Sequence, residues 1–345
     1  MALLTLYLKR IARLLLPLIL SLFLGALLIL AIGHNPLSTY ANLFDAGFSC
    51  DSGPGRCALI TTLQFATPLI LSGLSATVAL RGGFFSVGQA GQMLFGAAAA
   101  SWLGGYMSMP PIIHTAVALV GAALLGGLWG LVPALLKHFI GVNEIISTLL
   151  LNPIASVLVG LVWLPRVELS ARLSPLIPST KLSAGIFIAL ATALLIYLFL
   201  WHTTRGMEMR ANANAPRFAL YGGMPTHKPV LMAMALSGAL AGLAGGVEVL
   251  GVHYQFVSNF SAVNDFDGLI IAFAGHLHPA GVVLFAFLLG GLRTGSIVGL
   301  QIRSGIPREL GGALIAFILI FVATNRFFSI DGQNNSKHLP EVFTQ

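Results

Sequence analysis

The fold is decided by two neighbouring stretches, Thr67-Pro68-Leu69-Ile70-Leu71-Ser72-Gly73-Leu74 and Arg81-Gly82-Gly83-Phe84-Phe85-Ser86-Val87-Gly88-Gln89-Ala90-Gly91-Gln92. The first belongs to a hydrophobic region, and the second breaks that region with glycines and polar amides. Irregular backbone is tolerated at membrane depth only where it is buried in protein or lines a water-filled path. The break therefore indicates a passage through a membrane protein, although an ordinary cytoplasmic turn with Arg81 at the interface fits the spacing equally well.

Long apolar runs continue on both sides of this break. Of the 345 residues, 57% are hydrophobic and 8% are charged, whereas soluble domains carry about 25% charged residues. The mean hydropathy is +0.90, and about 20 apolar residues suffice to cross a hydrocarbon core of about 30 Å. The sequence therefore predicts an all-α polytopic membrane protein, with one transmembrane domain over 1–345 and about ten transmembrane helices. The predicted spans lie near 11–32, 59–80, 88–107, 112–136, 143–164, 183–202, 229–251, 266–276, 279–298 and 308–325, the eighth being short enough for a half-helix.

Glycines spaced three or four residues apart recur inside two of these spans. Small residues at this spacing let helix backbones approach closely in lipid. They predict a tightly packed helical bundle, and they are Gly121, Gly126, Gly127 and Gly130 in one span and Gly238, Gly242, Gly245 and Gly246 in the other.

Basic residues at the ends of the spans predict the topology. The first apolar run follows Lys9, Arg10 and Arg13 and is too long for a secretory signal, so it is interpreted as an anchor. Lysine and arginine are more frequent on the side that holds both termini, which the positive-inside rule assigns to the cytoplasm. This topology makes 33–58 an extracytoplasmic loop, 203–228 a cytoplasmic loop and 327–345 a cytoplasmic tail. The net charge of +7 is scattered between spans and forms no patch for nucleic acid.

The two cysteines, Cys50 and Cys57, lie together in the first of these loops. Two cysteines alone cannot form a tetrahedral zinc site. In an oxidising compartment they could form a disulfide, and two free thiols are the open alternative.

Polar residues inside the spans are candidates for the interior of the bundle, because ionisable groups are costly in lipid. Asn152 lies roughly on the same helical face as Glu144 and is predicted to face the interior. For Glu144 itself, a position in the first turn of a helix is slightly favoured. Glu248 fits an interface or an exit equally well. Because both glutamates lie near span ends, an ion-driven secondary transporter, which usually needs acids at the midplane, is the weaker alternative.

The polar loop 203–228 contains a predicted short helix. Pro216 suits a first helical turn, and Gly222 or Gly223 suits the end of a helix that runs through Tyr221. An exposed helix with Phe218 and Tyr221 suits docking into a groove of a partner, and a membrane-surface amphipathic helix is the alternative that composition favours.

The sequence shows no catalytic or metal-binding pattern that would indicate an enzyme. Asp265 and Asp267 are predicted on the opposite side of the membrane from His276 and His278, so no metal site is expected. The sequence contains no phosphate-binding loop and no HExxH motif. If ATP drives the protein, another subunit must hydrolyse it.

The chain resembles the permeases of ATP-driven importers for branched-chain amino acids, ribose and nucleosides. The resemblance runs from about residue 59 to 325, and the nucleoside branch is the most similar. It is carried by the two opening stretches, by Asn143-Glu144-Ile145-Ile146-Ser147-Thr148 with Leu151-Asn152, and by Phe266-Asp267-Gly268-Leu269-Ile270 with His278-Pro279-Ala280-Gly281.

This resemblance implies a type II ABC importer-like permease bundle with a broken helix, in a bacterial inner membrane. The solute is expected to be a nucleoside, with a simple sugar such as ribose or branched-chain amino acids as alternatives. The implied partners are an ABC ATP-binding subunit that holds ATP and Mg²⁺, an extracytoplasmic solute-binding protein, membrane lipid and a second permease. A heterodimer of permeases is favoured over a homodimer, and no cofactor is expected in this chain.

The resemblance also implies roles for particular residues. Those expected near the translocation path are Phe84, Phe85, Ser86, Gln89, Gln92, Asn143 and Asn152. Those expected to couple to the ATPase, within the loop 206–223, are Glu208, Arg210, Asn214, Pro216, Arg217, Phe218, Tyr221 and Gly222. The chain departs from the branch at Ser86, where Asn is usual, at Gln89-Ala90, where an acid is usual, and at Pro153.

Overall fold

The computed structural model describes residues 19–50, 57–162, 164–177, 180–225, 227–257, 266–307, 310–313 and 315–316. Within these ranges every regular element is helical, which confirms the predicted all-α class. The chain divides into two compact units, one formed by 1–46 with 295–345 and the other by 47–294. Each unit is described by itself.

In its described residues, the larger unit contains ten α-helices. They are α3 (Ala58–Arg81), α4 (Gln89–Tyr106), α5 (Pro111–Ile140), α6 (Glu144–Gly160), α7 (Gly185–His202), α8 (Thr204–Asn214), α9 (Pro216–Tyr221), α10 (His227–Glu248), α11 (Asp267–Ala274) and α12 (Pro279–Thr294). A turn of π-helix, Val249–His253, continues α10.

Glycines bring α10 into backbone contact with α4 and α5. A Cβ on Gly126 of α5 would lie 2.6 Å from the carbonyl oxygen of Gly238, and a Cβ on Gly242 would overlap the backbone of Ala122. On α4, a Cβ on Gly96 would overlap Gly242 itself. These contacts confirm the tight packing that the glycine spacing predicts, because only helices without side chains at the crossing come this close.

Helix α3 lies at the centre of the unit and is buried from Ala66 to Ala79. The hydroxyl groups of Ser75 and Ser237 are 3.0 Å apart where α3 meets α10. A Cβ on Gly73 would lie 2.8 Å from side-chain carbons of both Ile271 and Val282. Helix α3 therefore packs against α10, α11 and α12.

The smaller unit shows a helix where the sequence predicts a loop. Helix α1 is described over Ile19–Ala31, and α2 (Pro36–Phe48) follows after a bend of 114°. The amide of Leu37 donates to Asn35 Oδ1 at 3.0 Å, and Pro36 occupies the first turn, which is a strong helix start. The extracytoplasmic loop predicted at 33–58 thus contains a helix, which its polar residues hid from a hydropathy pattern.

Helix α2 is paired with the π-helical segment Gly295–Arg303 within the same unit. Arg303 Nη1 lies 2.5 Å from Asp45 Oδ2, and Asn42 Nδ2 donates to Ser304 Oγ at 3.1 Å. Glycine backbone at Gly299 packs against Asn42. These contacts fix α2 along the segment.

Five helical segments in the described residues are long and apolar enough to cross a membrane, or six if the bent pair α1 and α2 counts as one span. The predicted count of about ten is therefore not established. Helix α11 has 8 residues and extends about 12 Å, so it is a half-helix as predicted. Most of the predicted span 308–325 and the tail 327–345 lie outside the described residues.

Candidate functional site

The break between α3 and α4 spans Gly82 to Gly88, as predicted. Helix α3 ends at Arg81 with Gly82 as its C-cap, and Gly83 has a left-handed φ of 80°, a conformation that glycine adopts without steric cost. A Cβ on Gly83 would lie 3.2 Å from Cα of Ala213 in α8. The break therefore contacts the segment between α7 and α10 directly.

Two side chains of α6 hold the irregular backbone of the break. Thr148 Oγ1 accepts a hydrogen bond from the amide of Val87 at 3.2 Å. Asn152 Nδ2 donates to the carbonyl of Val87 at 2.9 Å, and Asn152 Oδ1 accepts from the amide of Gly91 at 3.0 Å. Thr148 and Asn152 are four residues apart and thus share a helix face. The interior position predicted for Asn152 is confirmed, whereas Thr148 was missed although this spacing could have indicated it.

We expect Asn152→Ala to destabilise the folded protein, because it leaves a buried carbonyl and a buried amide without their partner. Each such group costs about 1–3 kcal/mol. Thermal unfolding of the detergent-purified protein measures the loss. Asn143→Ala, which removes only an exposed helix cap at about 1 kcal/mol, is the matched control, and an equal loss in both variants would contradict the clamp.

Buried polar side chains lie at the end of the break and in the first turn of α4. Ser86, Gln89 and Gln92 are all at most 1% exposed. Gln89 Nε2 donates to the carbonyl of Ser86 at 3.1 Å, which orients its amide. The Oε1 atoms of Gln89 and Gln92 are buried and have no hydrogen-bond partner among the described residues. The first turn of α4 thus presents two acceptors that suit N–H or O–H donors.

The other three residues that the resemblance assigns to a translocation path have different surroundings. Phe84 is completely buried in a core with Ala79, Ala134 and Met234. The ring of Phe85 lies 6.3 Å from that of Phe273 in α11. Asn143 is exposed and caps α6.

Asn143 begins α6 by accepting a hydrogen bond from the amide of Ile145 at 2.9 Å. Glu144 follows in the first turn, where an acid is stabilised by the helix dipole, and its Oε1 lies 2.8 Å from Lys137 Nζ. The favoured interpretation of Glu144 as a residue of the helix start is confirmed. Asn143 belongs to this start and not to the buried amides.

The loop between α7 and α10 is more helical than predicted. The short helix predicted from Pro216 to Tyr221 is confirmed as α9, with Gly222 as its C-cap, and α8 was not predicted. Phe218 is 68% exposed and Tyr221 89% exposed. Pro216, Arg217, Asn214 and Gly222 are also exposed, whereas Glu208 and Arg210 are partly buried.

A buried ion pair joins α11 to α12. Arg293 Nη2 contacts Asp267 Oδ2, and both side chains are at most 10% exposed. The sequence pattern drew attention to Asp267 only as a possible metal ligand and did not indicate this pair. The sequence did contain a separate signal for the pair, because one predicted span contains an arginine and the predicted half-helix begins with an acid.

Glu248 is buried where α10 changes to π-helical winding. It is 3% exposed, and its Oε1 lies 3.4 Å from His253 Nε2. Its Oε2 has no hydrogen-bond partner in the described part of the chain. The alternative that Glu248 lies exposed at the membrane interface does not fit this burial.

The histidines considered as metal ligands bond to backbone. His276 Nδ1 lies 3.0 Å from the carbonyl of Ala274, and His278 Nδ1 accepts from the amide of Ala280 at 3.2 Å. Among the described residues no group of three potential ligands occurs, and Asp265 lies outside them. The sulfur atoms of Cys50 and Cys57 are paired, with Cα atoms 4.0 Å apart.

One polar cluster brings a serine, a histidine and an acid together. His114 Nδ1 lies 2.8 Å from Ser170 Oγ, and its Nε2 lies 3.0 Å from the carbonyl of Leu103. Glu168 Oε2 is 3.4 Å from the serine, not from the imidazole. The acid therefore does not orient the imidazole as a catalytic triad requires, and the cluster ties the loop after α6 to α5.

Apolar helices packed through glycines around a buried, polar helix break are typical of a polytopic membrane protein. The chain belongs to the family described as branched-chain amino acid transport system / permease component, whose model matches residues 58–323. It is an ABC importer permease and not an enzyme, and it is a multi-pass protein of the bacterial inner membrane.

Several curated proteins are similar over most of their length. The guanosine ABC transporter permease protein NupP of Bacillus subtilis is 37% identical over 336 residues, 92% of this chain and 95% of that protein. The nucleoside ABC transporter permease protein NupB of Lactococcus lactis is 29% identical over 90% of this chain and 91% of its own. The glucose ABC transporter permease protein TsgB13 of Haloferax volcanii is 27% identical, covering 89% of this chain and 86% of its own. No solved structure matches the chain significantly.

Proposed function

We propose that this permease forms half of the translocation path for a nucleoside, with guanosine as the first candidate. The observation that carries the proposal is the pair of buried acceptors, Gln89 Oε1 and Gln92 Oε1, which have no hydrogen-bond partner in the described residues. The similarity to the guanosine permease of Bacillus subtilis supports it independently.

The chemistry of the break suits a neutral solute that carries several donors. A nucleoside offers ribose hydroxyls and base N–H groups, which amide carbonyls accept. The ring of Phe85, which is partly buried, lies four residues before Gln89 in sequence, and aromatic faces stack on planar bases. Ser86 and Asn152 stay in the proposed path because they lie at the break. Phe84, which packs in the core, and Asn143, which caps α6, are assigned a structural role beside the path.

A simple sugar is the second candidate solute, because the glucose permease of Haloferax volcanii is also similar. A sugar has hydroxyl donors but no planar base, so the two candidates differ in what Phe85 would contribute. Branched-chain amino acids fit less well, since their carboxylate would be repelled by carbonyl acceptors.

Coupling to an ATP-binding subunit is proposed for α8 and α9. Phe218 and Tyr221 give α9 an exposed aromatic face, which suits insertion into a groove of a partner. Glu208, Arg210, Asn214, Pro216, Arg217 and Gly222 belong to the same segment. Its inner side contacts the helix break at Gly83, so a displacement of α8 acts on the path.

The complete importer is proposed to work by alternating access. ATP and Mg²⁺ bind the partner ATPase, a solute-binding protein delivers the nucleoside, and a second permease completes the path. A heterodimer is favoured because Bacillus subtilis has two such guanosine permeases, NupP and NupQ. The proposal also includes a type II-like bundle of about ten spans with both termini in the cytoplasm. It places the loop 203–228 in the cytoplasm and the Cys50–Cys57 disulfide in an extracytoplasmic segment.

Uptake by cells that express the whole importer tests both parts of the proposal. Radiolabelled guanosine is expected to accumulate in preference to glucose and leucine, and accumulation is expected to require ATP. Accumulation that depends on a proton gradient instead would contradict the importer.

We expect the double variant Phe218→Ser, Tyr221→Ser to lower guanosine uptake more than tenfold, because a buried aromatic anchor contributes about 2 kcal/mol or more to an interface. The matched control is Leu169→Ser, an exposed apolar residue at 81% exposure outside the α8–α9 segment. Membrane insertion is checked by immunoblot. Unchanged uptake in the double variant would reject α9 as the docking element.

A further inference from the structure

The indole of Trp201, next to the last residue of α7, is a meeting point of several helices. The guanidinium carbons of Arg81 and Arg210 each lie 5.4 Å from the centre of its ring system. The rings of His278 and Tyr197 lie 5.0 Å and 5.5 Å from it. One side chain of α7 therefore contacts the end of α3, the middle of α8 and the turn between α11 and α12.

Arg81 holds that turn through its backbone. Its Nε donates to the carbonyl of Leu277 at 3.1 Å, and its Nη2 donates to the carbonyl of His276 at 3.4 Å. His276 and Leu277 have φ of 57° and 53°, a left-handed conformation that is uncommon outside glycine. Such a conformation persists only where the surroundings impose it. The turn thus depends on Arg81, and Arg81 lies against Trp201.

Arg210 brings the coupling segment to the same ring. Its Nε is buried and has no hydrogen-bond partner among the described residues. A cation is attracted to an aromatic face, most strongly to indole, and the attraction grows when the cation is desolvated. The indole is therefore a principal contact that retains Arg210 of α8 beside α7.

We propose that Trp201 is a positioning residue, which transmits a displacement of α8 to the turn between α11 and α12. Arg210 and Arg81 share one ring, so a movement of Arg210 changes the environment in which Arg81 holds His276 and Leu277. The half-helix α11 begins at Asp267, whose ion pair with Arg293 ties it to α12. A change at the turn therefore reaches the buried end of α11. This inference rests on the proposed function, because it requires that α8 docks on an ATPase.

The test uses the complete importer, reconstituted in liposomes with its ATPase, second permease and binding protein. The measured quantity is the number of ATP molecules hydrolysed per guanosine transported. Trp201→Leu is expected to raise this number about tenfold, since it removes both cation–π contacts, and Trp201→Phe is expected to restore part of the coupling because phenyl is a weaker but usable partner.

The matched control is Trp102→Leu. Trp102 is 50% exposed and contacts Tyr106 of its own helix, so its replacement is expected to leave the ratio unchanged. A general effect of losing a tryptophan would change both variants alike.

The outcomes separate this inference from the proposed function. If the unmodified importer shows no ATP-dependent guanosine uptake, the proposed function is wrong. If it transports guanosine and Trp201→Leu lowers uptake and hydrolysis in proportion, or changes neither, the positioning role is wrong and the proposed function stands. If Trp201→Leu fails to assemble, Arg210→Gln tests the same link, and an unchanged ratio in that variant overturns the inference.

Discussion

Gly242→Val is expected to prevent the larger unit from packing and to abolish uptake. A Cβ on Gly242 would overlap the carbonyl oxygen of Ala122 in α5, and it would lie 2.9 Å from Cα of Gly126. These are backbone atoms, so the clash is relieved only by separating α10 from α5. Overpacking of a core costs about 1–3 kcal/mol and occasionally more, and the upper end is expected where both sides are backbone. Thermal unfolding and the yield of monodisperse protein measure the effect.

Gly160→Ala is the matched control for this substitution. Gly160 ends α6, and nothing lies within 4 Å of the position its Cβ would occupy. Since alanine is a better helix former than glycine by about 1 kcal/mol, this variant is expected to be as stable as the original protein or more so. Equal stability of Gly242→Val and the original protein would show that α10 does not pack on α5 as described.

Arg293→Gln is expected to cause the second large loss, by leaving Asp267 buried without its cation. Removing one partner of a buried ion pair costs about 3–5 kcal/mol, because the remaining charge stays desolvated and loses the attraction of this partner. Asp267→Asn is expected to destabilise the folded protein in a similar way, because the positive charge of Arg293 then remains buried without Asp267. The free energy of unfolding in bicelles, or the midpoint of thermal unfolding, is the measurement.

The double variant Asp267→Asn, Arg293→Gln distinguishes pairing from two separate roles. Both charges are then absent, so its loss of stability is expected to be smaller than the sum of the single losses. Strict additivity would mean that the two side chains do not interact across α11 and α12.

The chain organisation was predictable where a local pattern determines it. Glycine and buried amides indicated the break after Arg81, and Pro216 with Gly222 indicated α9, because these residues act on their own backbone. Helix α2 was missed although Asn35 and Pro36 form a local helix start, because its polar residues lower its hydropathy.

The candidate site was predictable only in part, because several of its contacts join residues far apart in sequence. Asn152 was correctly expected inside the bundle, but its bonds to Val87 and Gly91 depend on how α6 packs beside the break. The Asp267–Arg293 pair joins two helices, and neither residue alone indicates it. The resemblance to importer permeases grouped Asn143 with the buried amides Gln89 and Gln92. In the structure, Asn143 caps α6.

The bonds from Thr148 and Asn152 to the break also bear on how the proposed path could open. Three hydrogen bonds hold α6 to the backbone between Val87 and Gly91, so we expect that segment and α6 to move together. The opposite face of α6 exposes Ile146, Leu150 and Val157, which are apolar enough to face acyl chains. If the break lines the path as proposed, we expect a movement that widens it to displace α6 as well, so that the lipid next to this apolar face would affect the rate of the transport cycle.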